Sequence, residues 1–230
     1  MTPHIRCDRV SPYVLVAGDP GRIDVMASYL SSVRKLSEYR GFRVFMGDFE
    51  GVPVTLASTG IGSPSAAIAV EELISCGAEV IIRVGTCGSL IYEMERGDIV
   101  IPSEAVRGEG TSFYYAPGDK VAKPGPRVLD VLKRCAQKLG RNFYEGKIFT
   151  TDAFYVLPED TRDAIAIEME CSSIFIIAEL KGIEAGAILT VDSNVKKGEG
   201  KDELSWEVRR GIEDSIKIAL SSLKTLSEKG

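Results

Sequence analysis

Arg83 lies inside the run Val80-Ile81-Ile82-Arg83-Val84, which is otherwise β-branched and apolar enough for a strand buried on both faces. A guanidinium in such a place needs a strong anionic partner. Gly85-Thr86-Cys87-Gly88-Ser89 follows. Its glycines allow a sharp turn and close approach of a ligand, Thr86 adds a hydroxyl, and peptide N–H groups become available. These residues could hold an anion at the carboxyl end of a central strand, or form a structural arginine–carboxylate pair beside an ordinary turn. Two more arginines occupy comparable places, Arg22 after Gly18-Asp19-Pro20-Gly21 and Arg40 just before Gly41-Phe42. Arginine suits a tetrahedral oxyanion because its fork donates in pairs and stays charged.

A second chemical cluster is Glu168-Met169-Glu170 at an expected strand end. Adjacent carboxylates there can clamp a vicinal diol over an apolar methionine floor, although solvated glutamates at a helix start would look the same. Asp192 closes the last apolar run, Leu189-Thr190-Val191, again at a carboxyl end, where ligands sit in open α/β sheets. One histidine, His4, and five cysteines without a C-x-x-C pair leave zinc chemistry and a Ser-His-Asp triad little to build from.

The elements that must position these groups alternate strand and helix. Tyr13 to Ala17 reads as a buried strand, with a helix over about Ile23 to Ser31. Phe42 to Phe49 and Val52 to Ala57 form a hairpin about Glu50-Gly51. A helix runs to about Cys76, with Ser63 as N-cap and Pro64 at its first position. Asp98 to Ile101 is a short strand, and Ser103 to Pro126 a long Gly/Pro/Tyr-rich loop, of a length that is usually functional or mobile. Helices are expected at Arg127 to Leu139 and Cys171 to Lys181, with strands at Lys147 to Thr150, Ala164 to Glu168 and Gly186 to Val191. Ser193 to Asp202 reads as a flexible flap before a terminal helix, about Leu204 to Leu226. The pattern predicts an α/β protein: a single three-layer α/β/α domain over residues 1–230 with a central mixed sheet.

The 230 residues carry a net charge of −5, and no basic cluster is interleaved with aromatics, which argues against nucleic-acid binding. No apolar run approaches membrane-spanning length and Met1 to Arg6 has no signal-peptide core, so a cytoplasmic protein without membrane partners is expected. Gly60-x-Gly62 is a partial dinucleotide fingerprint, but Ser65 stands at the third glycine position and no clear acidic strand end follows.

Taken together, several ordered motifs are similar to those of the nucleoside phosphorylase-I family, which covers purine nucleoside, uridine and methylthioadenosine phosphorylases. They are Thr2-Pro3-His4-Ile5, Gly18 to Arg22, Arg40-Gly41-Phe42, Ser58 to Ser65, Glu71-Glu72-Leu73, Ile82 to Gly88, Thr151 to Tyr155 and Glu168 to Glu170. The resemblance implies that Gly18, Arg22, Arg83 and Thr86 hold phosphate, with Arg40 reaching it from a neighbouring subunit. It implies that Glu168, Met169 and Glu170 bind ribose and that His4, lent by the neighbour, meets the 5′-hydroxyl. The base would lie against Cys87, Gly88 and Phe154, with Asp192 as acid toward N7. The implied reaction is reversible phosphorolysis to free base and ribose 1-phosphate, with phosphate as co-substrate and no cofactor or metal. A homo-oligomer, a hexamer built from dimers, is implied too.

The base pocket departs from both branches. Many purine phosphorylases have Ser-Asp after the last core strand, where this chain has Asp192-Ser193. Uridine phosphorylases carry a glutamine and an arginine soon after the Phe-Tyr pair; here those positions fall near Pro158 and Asp160, with Arg162 displaced. Val106 to Ser112 and Ser58 to Gly62 lie closer to the uridine branch. Purine nucleosides are the favoured expectation and uridine the alternative. Methylthioadenosine phosphorolysis, hydrolysis of a nucleoside, and nucleoside binding without catalysis are the remaining ones.

Overall fold

The computed structural model describes residues 1–202 and 205–228. Strand β1 (Tyr13–Ala17) enters the core first and leads into helix α1 (Pro20–Ala27). The helix begins earlier and ends sooner than expected. Pro20 suits a first turn, and the Asp19 carboxylate caps it by accepting the Gly21 N–H at 2.8 Å. The chain then forms strand β2 (Ser31–Tyr39), which carries no apolar period because it is a charged, largely exposed sheet edge.

Strands β3 (Phe42–Phe49) and β4 (Val52–Ser58) make the expected hairpin. Its tip, Glu50 and Gly51, has φ of 50° and 89°, the left-handed pair that a two-residue connection requires. Helix α2 (Ser63–Ser75) is capped one residue earlier than expected. Gly62, at φ 87°, is the cap residue, and the Ser63 hydroxyl donates to the Met169 carbonyl instead.

Strand β5 (Val80–Ser89) continues straight through Gly85 and Gly88, where a sharp turn was expected. Its pairing with strand β9 (Glu184–Asn194) holds Gly85 to Ser89 extended. Strand β6 (Ile99–Gly108) and helix α3 (Thr111–Tyr115) take up nearly half of the expected long loop. Pro102 hides the strand in sequence; a register shift between Pro102 and Glu104 against strand β7 (Tyr144–Thr151) accommodates it. Helix α4 (Pro126–Lys138), strand β8 (Ala166–Glu168), helix α5 (Cys171–Leu180) and helix α6 (Trp206–Ser227) complete the chain. The expected start of the last helix at Leu204 lies outside the described residues. None of the described helices is long and apolar enough to cross a membrane.

The mixed sheet runs β2-β3-β4-β1-β5-β8-β7-β6-β9. Strand β9 pairs with both β6 and β5, so this half of the sheet curls back on itself. Side chains alternate between two cores. Val14, Val16 and Ile81 face α2 and α5, whereas Leu15, Val80, Ile82 and Val84 face α1, α4 and α6. This is the expected three-layer arrangement. Arg83 has the parity of Ile81 and Cys87, which directs it toward the side where α5 begins.

Candidate active site

The carboxyl ends of β1, β5, β8 and β9 open into one cleft of about 820 Å³. Every candidate residue from the sequence lines it except His4. Gly18 and Arg22 arrive from the β1–α1 connection, and Arg83, Thr86, Cys87 and Gly88 from β5. Arg40 stands exposed at the turn between β2 and β3. Phe154, 58% exposed, follows β7 and meets Tyr155 edge-on with ring centroids 5.1 Å apart.

Arg83 is 4% exposed and its first partners are carboxylates of the same chain. Its Nη2 lies 3.2 Å from Glu168 Oε2 and is also paired with Glu170 Oε2, and its Nε donates to Glu168 at 3.3 Å. The arginine–carboxylate pair is therefore real, and it forms part of the cleft wall. Glu168 is wholly engaged. It accepts from Thr150 Oγ1 at 2.6 Å, from the Glu170 N–H at 2.8 Å and from the Cys171 N–H at 3.0 Å. Glu170 accepts the Gly62 N–H at 2.6 Å, and the positive φ of Gly62 belongs to the conformation that makes this bond.

Two carboxylates share one guanidinium here. Burial pushes the Glu170 carboxyl up, Arg83 opposes this and Glu168 adds to it. Burial alone would make Arg83 easier to deprotonate, but Glu170 and Glu168 override that and hold it charged. Arg22, 6% exposed, donates to the Val84 carbonyl at 3.3 Å, which turns its guanidinium toward the end of β5. Burial pushes the Cys87 thiol well above its ordinary value, so Cys87 presents a neutral surface.

Asp192 reaches the cleft through an irregularity. In the parallel β5–β9 ladder Cys87 pairs with Val191 and Gly88 with Ser193, so Asp192 is the extra residue of a bulge. Bulges re-aim side chains at strand ends. Asp192 is 4% exposed, accepts from Ser193 Oγ at 2.9 Å, and lies 3.5 Å from Lys201 Nζ. Lys201 and Ser193 were not among the sequence candidates. Both line the cleft, and Lys201 sits 5.9 Å from the Phe154 ring. The only sequence signal for Lys201 was its position in the glycine- and lysine-rich segment expected to be a flap.

His4 lies outside this cleft. Its ring Nδ1 is 2.7 Å from Glu72 Oε1 on α2, and its face meets Phe42 edge-on at 5.9 Å. Arg162, the displaced arginine, lines a different cavity with Arg107 and Lys147.

Residues 12–224 match the family model described as the phosphorylase superfamily. The chain belongs to that family. A guanosine phosphorylase from Halorubrum lacusprofundi is 37% identical, covering 97% of this chain and 98% of the relative. A uridine phosphorylase from Thermococcus kodakarensis is 34% identical, covering 99% of this chain and 87% of the relative. Among solved structures, a purine nucleoside phosphorylase from Toxoplasma gondii in complex with immucillin-H superposes with a TM-score of 0.94 at 31% identity. That match covers 100% of this chain and 98% of the other. Family and relatives alike are nucleoside phosphorylases, which are pentosyltransferases, and the family-level reading of the motifs is correct.

Proposed function

We propose that this family member catalyses reversible phosphorolysis of purine nucleosides, with the arginines holding phosphate and Asp192 acting as the acid toward the base. The observation that carries the reading is a single cleft that gathers Arg22, Arg83 and Thr86, the adjacent carboxylates Glu168 and Glu170, and the buried Asp192. Gly18, Arg22, Arg83 and Thr86 hold the phosphate dianion, joined by Arg40. Glu170 accepts the ribose hydroxyls, with Met169 beneath the sugar. Glu168, whose oxygens are taken by Thr150, two backbone amides and Arg83, assists by holding Arg83 and Glu170 in place.

As the glycosidic bond lengthens, its electron pair leaves with the base and positive charge develops on ribose. The phosphate dianion stabilises that charge and one of its oxygens bonds to the anomeric carbon. The departing purine accepts a proton, or a hydrogen bond, at N7 from Asp192. Inorganic phosphate is the co-substrate, and the chemistry calls for no organic cofactor and no metal.

Two observations support purine over uracil. Asp192 projects from its bulge into the cleft, and Arg162 lies in another cavity, away from where a pyrimidine carbonyl would sit. Uridine phosphorolysis is the second reading, supported by the 34% identity to an archaeal uridine phosphorylase. The assembly is proposed to be a homo-hexamer with shared sites, in the cytoplasm. The position of His4 outside its own cleft supports the sharing, whereas Arg40 lines the cleft of its own chain. Turnover of inosine, guanosine, adenosine, methylthioadenosine and uridine with phosphate present tests the base assignment. Uridine outpacing every purine nucleoside would replace the first reading with the second.

A further inference from the structure

One carboxylate fastens the N-terminal segment to α2. Glu72 Oε2 accepts the N–H of Ile5 at 2.7 Å and of His4 at 2.9 Å, while Oε1 meets His4 Nδ1 at 2.7 Å. Its side chain is only 12% exposed. The same segment is tied to β2 and the turn that carries Arg40. Ser37 Oγ donates to the Ile5 carbonyl, the Arg6 guanidinium lies 3.3 Å over the Tyr39 ring, and the His4 ring meets Phe42. His4 and Arg40 therefore belong to one braced unit.

A carboxylate can only accept, so the hydrogen between Glu72 and the imidazole sits on Nδ1. Nε2 is then the nitrogen left for a ligand. A hydroxyl suits that atom in either charge state, because it donates to a neutral imidazole and accepts from an imidazolium. A thioether sulfur offers only a weak acceptor.

We propose that Glu72 is the positioning residue for His4, setting the segment and the ring so that Nε2 is presented to a 5′-hydroxyl and 5′-thioether nucleosides are disfavoured. The inference rests on the reading of His4 as the contact to the ribose 5′ position. Glu72→Gln keeps an acceptor for the backbone amides but replaces the charge-assisted bond to Nδ1 with a weaker neutral one, so the ring is no longer held in its aim at the 5′ position.

The experiment compares kcat and KM of wild type, His4→Ala, Glu72→Gln and the double variant on a nucleoside and its 5′-deoxy analogue. Inosine and 5′-deoxyinosine serve, or uridine and 5′-deoxyuridine if uridine is the better substrate. Each single variant is expected to raise KM for the hydroxylated substrate roughly tenfold, the scale of one hydrogen bond to a charged group, with the analogue unchanged. The double variant should lose no more than either single one. Equal losses on both substrates in Glu72→Gln, with a lowered thermal midpoint, would make Glu72 merely structural and overturn the proposal. A selective loss in His4→Ala but none in Glu72→Gln would overturn it while leaving the His4 reading intact. No selective loss in His4→Ala would overturn the His4 reading and the proposal together.

Discussion

The least obvious residue-level feature is that two glutamates two positions apart reach the same guanidinium. Along a strand, residues i and i+2 share a face, but the chain leaves β8 at Glu168 and Glu170 already has φ −138° and ψ −25° ahead of α5. That change of backbone converges both carboxylates on Arg83. Sequence revealed the residue types and that Arg83 needed an anion; it could not reveal that Glu168 and Glu170 would be that anion, because the convergence depends on a long-range pairing of β5 with β8. Arg83→Ala should strand two buried carboxylates and lower stability by about 3–5 kcal/mol in a urea titration. In whatever protein remains folded, KM for phosphate should rise. Asp192→Asn keeps hydrogen-bonding capacity but removes the acid, so kcat for purine nucleosides should fall about 10²-fold with KM little changed. Steady-state kinetics on guanosine check this; an unaltered kcat would remove Asp192 from the chemistry.

Glu72 adds a pH prediction. Burial would raise its carboxyl, but the hydrogen bonds from the Ile5 and His4 amides and from the imidazole outweigh burial and hold it below its ordinary value. A depressed carboxyl contributes stability that is full above the unfolded value of about 4.3 and is lost as pH falls through the lower folded value. Protection of the Ile5 and His4 amides, taken relative to the intrinsic exchange rate at each pH, should therefore fall as pH drops below the unfolded value of about 4.3 in wild type. Glu72→Gln should abolish that dependence.

At the scale of elements, the apolar strands and the hairpin were legible because their patterns are regular, and the misses have physical causes. Strand β2 is a polar edge, bonded to β3 alone, so nothing selects alternating apolar residues. Strand β6 is masked by Pro102, Glu104 and Arg107, each accommodated by bulging or by local bonding. Arg107 binds Ser112 Oγ at 2.7 Å and the Gly118 and Lys120 carbonyls, which orders the segment expected to be a loop. Helix α6 lies close against the sheet through Gly211, where an added Cβ would stand 2.5 Å from the Gly97 carbonyl and 2.6 Å from Thr190 Cγ2. Gly211→Ala should therefore destabilise by about 1–3 kcal/mol despite its better helix propensity, seen as a lower thermal midpoint. A neutral or stabilising result would show that α6 can move away from β9 at no cost.

For the whole molecule, the curl of the sheet matters most. Because β9 pairs with β5 and β6 together, its bulge brings Asp192 beside Cys87 and Gly88 and into the cleft that the arginines also line. The alternation of strands and helices predicted the three layers and the cleft at the strand ends, but closure through β9 left no mark in local sequence. The groups proposed to hold phosphate, ribose and base thus come from the ends of β1, β2, β5, β7, β8 and β9 and converge only when the whole chain has folded. The most direct test of the account is base release measured with and without inorganic phosphate, with the sugar product identified. Turnover of a purine nucleoside should depend on phosphate and yield ribose 1-phosphate. Equal release without phosphate, yielding free ribose, would contradict it.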